Sequence, residues 1–187
     1  MLEKERFSKE EASKHRTSKR LADLLAVTLA FSRWPIYDFG CGDGSYLRTI
    51  FEECHGLKTC IGIDASPEIP KKQWPWVIHP VDAAAPITLG PPGDVLCIEV
   101  GEHISSERIP GLLSNLNRHC KGLLILSWAI RGQGGTRHIS CRDAVEVMQM
   151  ILPLGFVFLE KKTTNFREEA GQDLWWFKQS LYVFERK

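Results

Sequence analysis

The chain has 187 residues, 43% of them apolar and 25% charged, which is the size and balance of one soluble globular domain around a single core. Its formal net charge is +1, so no global field recruits nucleic acid or an anionic membrane, and a nucleic-acid role would need a local patch. The first twenty residues are crowded with Lys, Arg and Glu and lack the apolar segment of a secretory signal, and no apolar run is long enough to cross a bilayer, so a cytoplasmic protein is expected.

Residues 5–31 read as an opening helix, because Leu21, Leu24, Leu25, Thr28 and Leu29 recur at helical spacing. Residues 1–33 are expected to form a helical cap that folds over a ligand, within a single domain spanning 1–187. The basic run Lys14–Arg20 reads as a solvated helix face, with contact to RNA or phosphate as the alternative. Apolar runs at 35–39, 59–63, 76–79, 94–99, 122–127, 156–160 and 180–185 read as strands, and 45–54, 106–118 and 140–152 as helices. Pro67, Pro70 and Pro75 leave little room for a helix between the second and third strands.

Strand and helix alternating over 35–127 predict an α/β, doubly wound, mostly parallel sheet. Two strands follow Gly155 with little helix predicted between them, which suggests a terminal hairpin and an antiparallel last strand. The six cysteines, at positions 41, 54, 60, 97, 120 and 141, form no C-x-x-C pair and read as reduced, buried thiols.

Ligands of such a sheet bind at the carboxyl ends of its strands, and the motifs fall there. The first strand runs through Asp38 and Phe39 into Gly40-Cys41-Gly42-Asp43-Gly44-Ser45. The glycines permit a tight turn and close backbone approach, with a helix N-terminus aimed at the same point. This is G-x-G-x-G preceded by an acid, not the G-x-G-x-x-G of dinucleotide binders. Asp38 suits a ligand with an ammonium group and would repel a pyrophosphate. Asp64, twenty residues beyond Gly44 and followed by Ala65, can accept the hydroxyls of a ribose. Asp82 after the third strand can meet an adenine amino group, with Ala83 leaving room for the ring.

In these motifs the chain resembles the class I S-adenosylmethionine (SAM) dependent methyltransferases across nearly its whole length. The resemblance implies a Rossmann-like seven-stranded sheet and a SAM site made from Asp38, Phe39, Gly40, Cys41, Gly42, Gly44, Ser45, Asp64, Ala65, Asp82, Ala83 and Glu99.

The fourth strand ends in Glu99-Val100-Gly101-Glu102-His103. If the chain turns helically there, two carboxylates and an imidazole share one face. After the fifth strand, Ser127-Trp128-Ala129 leads through a glycine-rich loop to His138, with a helix expected to start near Ser140. Two carboxylates and two imidazoles suit a divalent ion, and the nitrogen donors favour Mn²⁺ over Mg²⁺. The E-x-x-E-H cluster resembles that of the metal-dependent O-methyltransferases of ubiquinone biosynthesis and of small-RNA 2′-O-methylation. That resemblance implies Glu99, Glu102, His103 and His138 as metal ligands, with Glu102, His103 and His138 central to catalysis.

Two other roles stay open for the cluster: His103 or His138 as a metal-free general base for N- or O-methylation, or scaffolding for SAM. The aromatic run Trp175–Phe177 and residues 165–169 read either as a substrate wall or as core. A small hydroxylated acceptor is expected from the near-zero net charge. An RNA 3′ end would satisfy the same chemistry, and a non-catalytic SAM-binding regulator is the reading from a different class.

Overall fold

A computed structural model describes residues 16–66, 77–78 and 80–187. Helix α1 spans Lys19–Leu29, where Ser18 caps the N-terminus by accepting the Leu21 N–H. Its buried face is Leu21, Ala22, Leu25, Ala26 and Leu29, so Ala22 and Ala26 take inner places while Leu24 and Thr28 sit at the margins. Of the expected helix 5–31, residues 5–15 lie outside the described residues, as does the start of the basic run. Within the described part of that run, Lys19 meets Asp23 at 2.6 Å and Arg20 meets Glu169 at 3.2 Å, while Ser18 is buried.

Strands β1 (Ile36–Phe39), β2 (Cys60–Ile63), β3 (Val77–Ile78), β4 (Gly93–Cys97), β5 (Cys120–Ser127), β6 (Phe156–Phe158) and β7 (Leu181–Arg186) form one sheet in the order β3-β2-β1-β4-β5-β7-β6. Six strands have three residues or more, and β3 is a two-residue edge. Pairing is parallel from β3 through β5, and β7 runs antiparallel to both β5 and β6. Helices α2 (Ser45–Glu53), α3 (Ile109–His119), α4 (Ala144–Ile151), α5 (Glu160–Asp173) and α6 (Phe177–Ser180) complete the chain, with α1 packed against α2 and α5.

Each central strand feeds two cores by simple alternation. Ile36, Leu96, Ile125 and Val183 face the α1–α2–α5 side, whereas Tyr37, Val95, Leu124 and Phe184 face the other. All six cysteines are free thiols, and Cys141 is the one that is not buried. Among the described residues, no helix is long and apolar enough to cross a membrane.

Three expectations are corrected or decided by the structure. Strands β6 and β7 are joined not by a short hairpin but by the fourteen-residue α5 followed by the short α6. Its buried stripe, Thr163, Phe166, Ala170 and Gly171, is too narrow and polar to stand out as a helical pattern. Phe166 and Phe177 belong to the core and not to a substrate wall, although Trp175 is 62% exposed. Helix α4 starts later than expected: its cap is Asp143, in a capping box with Glu146, and not Ser140.

Candidate functional site

The carboxyl edge of the sheet carries two groups of side chains. The first surrounds the loop after β1. Gly40, Gly42 and Gly44 have φ of +78°, +55° and +79°, a run of left-handed residues that side chains disfavour. The loop is fastened to the end of β2: Gly40 and Cys41 N–H both donate to the Ile63 carbonyl, at 2.8 and 3.0 Å. Asp64 completes the attachment, since Oδ2 accepts the Gly42 N–H at 3.0 Å and Oδ1 the Ser66 N–H at 2.7 Å. Gly44 caps α2, and Asp43 Oδ1 takes the Ser45 N–H at 3.0 Å. The N-terminus of α2 therefore opens at the loop, where its unpaired N–H groups and dipole are available to a ligand.

Asp38 is 2% exposed, and its Oδ2 has no hydrogen-bond partner. Burial, with the nearby Asp64 charge adding to it, pushes its carboxyl up to about 7. A buried carboxyl left unpartnered beside an open backbone loop is what a cationic ligand would satisfy.

Other expected contacts are already committed elsewhere. The Phe39 ring packs in the core, 5.5 Å from His119, so its side chain does not line the site. Cys41 is buried, with Gly62 making room for its Sγ. Asp82, expected to meet adenine, pairs with Arg108 and accepts the Ala84 N–H at 2.9 Å. Half-burial acts to raise the Asp82 carboxyl, but the Ala84 N–H and the Arg108 guanidinium outweigh it and hold it below its ordinary range. The Ala83 carbonyl is taken by Asn115 at 2.8 Å.

The second group lies past β4 and β5. Gly101–His103 forms one turn of 3-10 helix. Glu102 is completely buried, and neither carboxylate oxygen has a hydrogen-bond partner. Burial, and then the Glu99 charge, hold its carboxyl well above the ordinary range, against the weaker opposing pull of the Glu102 and Ala129 backbone N–H groups. Ile139 and Ser140 N–H both donate to the Glu102 carbonyl, at 2.8 and 3.0 Å, and this pins the glycine-rich loop against the turn.

As a result, one donor atom each from Glu102, His103 and His138 lies within 4.8 Å of the others. The two imidazoles meet edge to face, 5.1 Å between centroids. His103 Nδ1–H donates to the Arg137 carbonyl at 3.2 Å, and His138 Nδ1–H lies 3.4 Å from the Gln133 carbonyl. Carbonyl acceptors at Nδ1 select the tautomer that carries its lone pair on Nε2, the usual arrangement behind metal-ligating imidazoles. Burial also lowers the His138 pKa, which keeps the ring neutral.

Glu99, the expected fourth ligand, is not in that group. Its backbone is left-handed at φ +57°, its Oε1 accepts from Ser127 Oγ at 2.7 Å, and burial raises its carboxyl to about 7.

Two residues given no role by the sequence reading hold the parts together. Trp128 Nε1–H donates to the Ser140 carbonyl at 2.7 Å while its ring lies against Gly101, where an added Cβ would sit 2.6 Å from three ring carbons. Gly101→Ala is therefore expected to cost about 1–3 kcal/mol by overpacking, read as a fall of several degrees in Tm. Ser127 is the other, and the signal for it was a hydroxyl closing an otherwise apolar strand.

Asp38, Glu99 and Glu102 all have raised folded-state pKa values. Such acids contribute stability that is present below their unfolded values and lost as pH rises through the folded ones. His138 acts oppositely, and only below its unfolded value near 6.5. Between pH 6.5 and 8 the ligand-free protein should lose about 5 °C in Tm, as measured by calorimetry.

No protein-family model matches the sequence, and no curated protein matches it. Solved structures do. An amino pentose methyltransferase from Micromonospora echinaspora, solved with SAM, is 14% identical with a TM-score of 0.66, covering 95% of this chain and 94% of its own. The sugar N-methyltransferase of Streptoalloteichus is 15% identical with a TM-score of 0.64, over 94% and 90%. The fold is that of the SAM-dependent methyltransferases. The small RNA methyltransferase HEN1 is also similar, at 18% identity and a TM-score of 0.64, with 93% of this chain matching 26% of that longer one. In this methyltransferase fold the loop after β1 and the turn after β4 both open at the carboxyl edge of the sheet.

Proposed function

We propose that this chain is a SAM-dependent methyltransferase that transfers the methyl group to a hydroxyl oxygen of a small hydroxylated molecule, assisted by a divalent metal ion. The observation that carries the metal part is Glu102: a fully buried carboxylate without a hydrogen-bond partner, beside the ring nitrogens of His103 and His138. A buried carboxylate without a well-formed hydrogen bond is costly unless it is paired or coordinated. One oxygen and two imidazole donors fit Mn²⁺ or another transition ion better than Mg²⁺. Bound there, such an ion would supply Lewis acidity that lowers the pKa of an acceptor hydroxyl.

The chain's own residues do the rest. Asp38 faces the ammonium end of SAM, and Asp64, which holds the loop at Gly42 from the end of β2, meets the ribose hydroxyls. The acceptor oxygen attacks the methyl carbon, the carbon–sulfur bond breaks with its electron pair staying on sulfur, and the hydroxyl proton passes to solvent. The site mainly supplies alignment for this displacement. A small acceptor is favoured over RNA by the formal net charge of +1, and Arg108 at this edge is committed to Asp82. The names of the similar structures include both sugar and RNA methyltransferases.

The test is SAM turnover on a panel of catechols, sugars and short RNAs, before and after EDTA, with Mn²⁺ or Mg²⁺ added back. Loss on chelation and recovery with metal supports the proposal. Activity indifferent to EDTA contradicts the metal and moves its role to His103 as a general base.

A further inference from the structure

Two carboxylates follow β4, and the structure separates them. Glu102 belongs to the group with His103 and His138, whereas Glu99 contributes no atom to it. The separation comes from Ser127, which is fully buried at the end of β5 with its backbone fixed by pairing to Leu181 of β7. Its hydroxyl makes two bonds to the same residue. Oγ accepts the Glu99 N–H at 2.6 Å and donates to Glu99 Oε1 at 2.7 Å. The first bond holds the left-handed backbone, unusual for glutamate, and the second fixes the carboxylate. Among the described residues, Glu99 Oε2 makes no hydrogen bond or ion pair, and Glu99 is part-buried.

The neighbourhood of Glu99 is the cofactor loop. Strands β1 and β4 are paired through Asp38 and Leu96, and Val100, next to Glu99, packs against Gly40, where an added Cβ would clash with Val100 Cγ2, so Asp38 and Glu99 lie on adjoining segments at the carboxyl edge. Asp38 Oδ2 is itself buried and unpartnered there. Two carboxylates around one opening match the ammonium and the sulfonium of SAM, while the N-terminus of α2 offers backbone N–H groups to the carboxylate of the same moiety.

We propose that Ser127 is a positioning residue that commits Glu99 to the cationic end of the cofactor and leaves metal binding to Glu102, His103 and His138. This rests on the SAM-and-metal reading above and assigns the division of labour within it.

Calorimetric titration of SAM, S-adenosylhomocysteine and Mn²⁺ into the full chain tests it, using wild type, Ser127→Ala, Ser127→Thr, Glu99→Gln and the double variant Ser127→Ala/Glu99→Gln. Glu99→Gln and Ser127→Ala should each weaken SAM about tenfold, and S-adenosylhomocysteine less because it lacks the sulfonium charge. Ser127→Thr, which keeps the hydroxyl, should recover most of the affinity. The double variant should be no weaker than Glu99→Gln alone, since both changes remove one interaction. Mn²⁺ affinity should stay within about twofold in Ser127→Ala and fall only about threefold in Glu99→Gln, from the lost charge near Glu102, because neither residue ligates the ion.

A tenfold loss of Mn²⁺ affinity in Glu99→Gln with SAM unchanged would overturn the inference and restore Glu99 as a metal ligand. Additive losses in the double variant would overturn the positioning role. Wild type that binds no SAM refutes the underlying reading, whereas wild type that binds SAM with Glu99→Gln unaltered refutes this inference alone.

Discussion

Glu102→Gln is expected to make the ligand-free protein more stable above pH 7 while removing its metal binding. The wild-type carboxylate is fully buried and unpartnered, and ionising it in that position opposes folding. Glutamine keeps the shape and removes the charge, so Tm at pH 8 should rise by about 3–6 °C. Loss of a charged ligand from a site with one carboxylate and two imidazoles should weaken Mn²⁺ by about 100-fold or more, measured by titration or by Mn²⁺ electron paramagnetic resonance. Stabilisation and loss of metal together mark a carboxylate kept for function at a cost to the fold. A structural carboxylate would give the reverse, a lower Tm with Mn²⁺ binding unaffected.

The second large effect is expected at Asp64→Ala. The carboxylate holds the Gly42 N–H at 3.0 Å and the Ser66 N–H at 2.7 Å, and it is the residue placed to meet the ribose. Charge-assisted hydrogen bonds contribute about 1.5–3 kcal/mol each, so losing the Gly42 anchor and the ribose contact should weaken SAM by about 100-fold. Global stability should change less, because Gly40 and Cys41 keep the loop tied to Ile63. A thermal melt and a SAM titration on the same sample separate the two effects. An Asp64→Ala protein that binds SAM as wild type does would remove Asp64 from the cofactor site.

The sheet was legible because its strands obey simple rules: apolar runs, glycine turns, and carboxylates at strand ends. The motifs at Asp38–Ser45, Asp64 and Glu99–His103 were legible for the same reason, since each is local in sequence. Helix α5 was missed because its apolar stripe is narrow, and the helix is identified by tertiary packing on α1 and β7 instead of by its own pattern.

The departures inside the site share one cause, competition for the same polar groups across the fold. Asp82 is taken by Arg108, and Glu99 by Ser127. Neither pairing has a sequence spacing to announce it. His138 was placed correctly beside Glu102 and His103, but the reason is non-local: the Glu102 carbonyl binds the loop backbone, and Trp128 braces both pieces.

The claim on which the rest depends is that the loop after β1 is a SAM site. It is tested most directly by calorimetric titration of SAM into the full chain at pH 7.5, with NAD⁺ and ATP as controls. The prediction is saturable one-to-one binding of SAM, none of NAD⁺ or ATP, and a rise in Tm of about 5–10 °C once SAM reaches 100 times its Kd. Absence of SAM binding at millimolar concentration, or tighter binding of NAD⁺ or ATP, would contradict it.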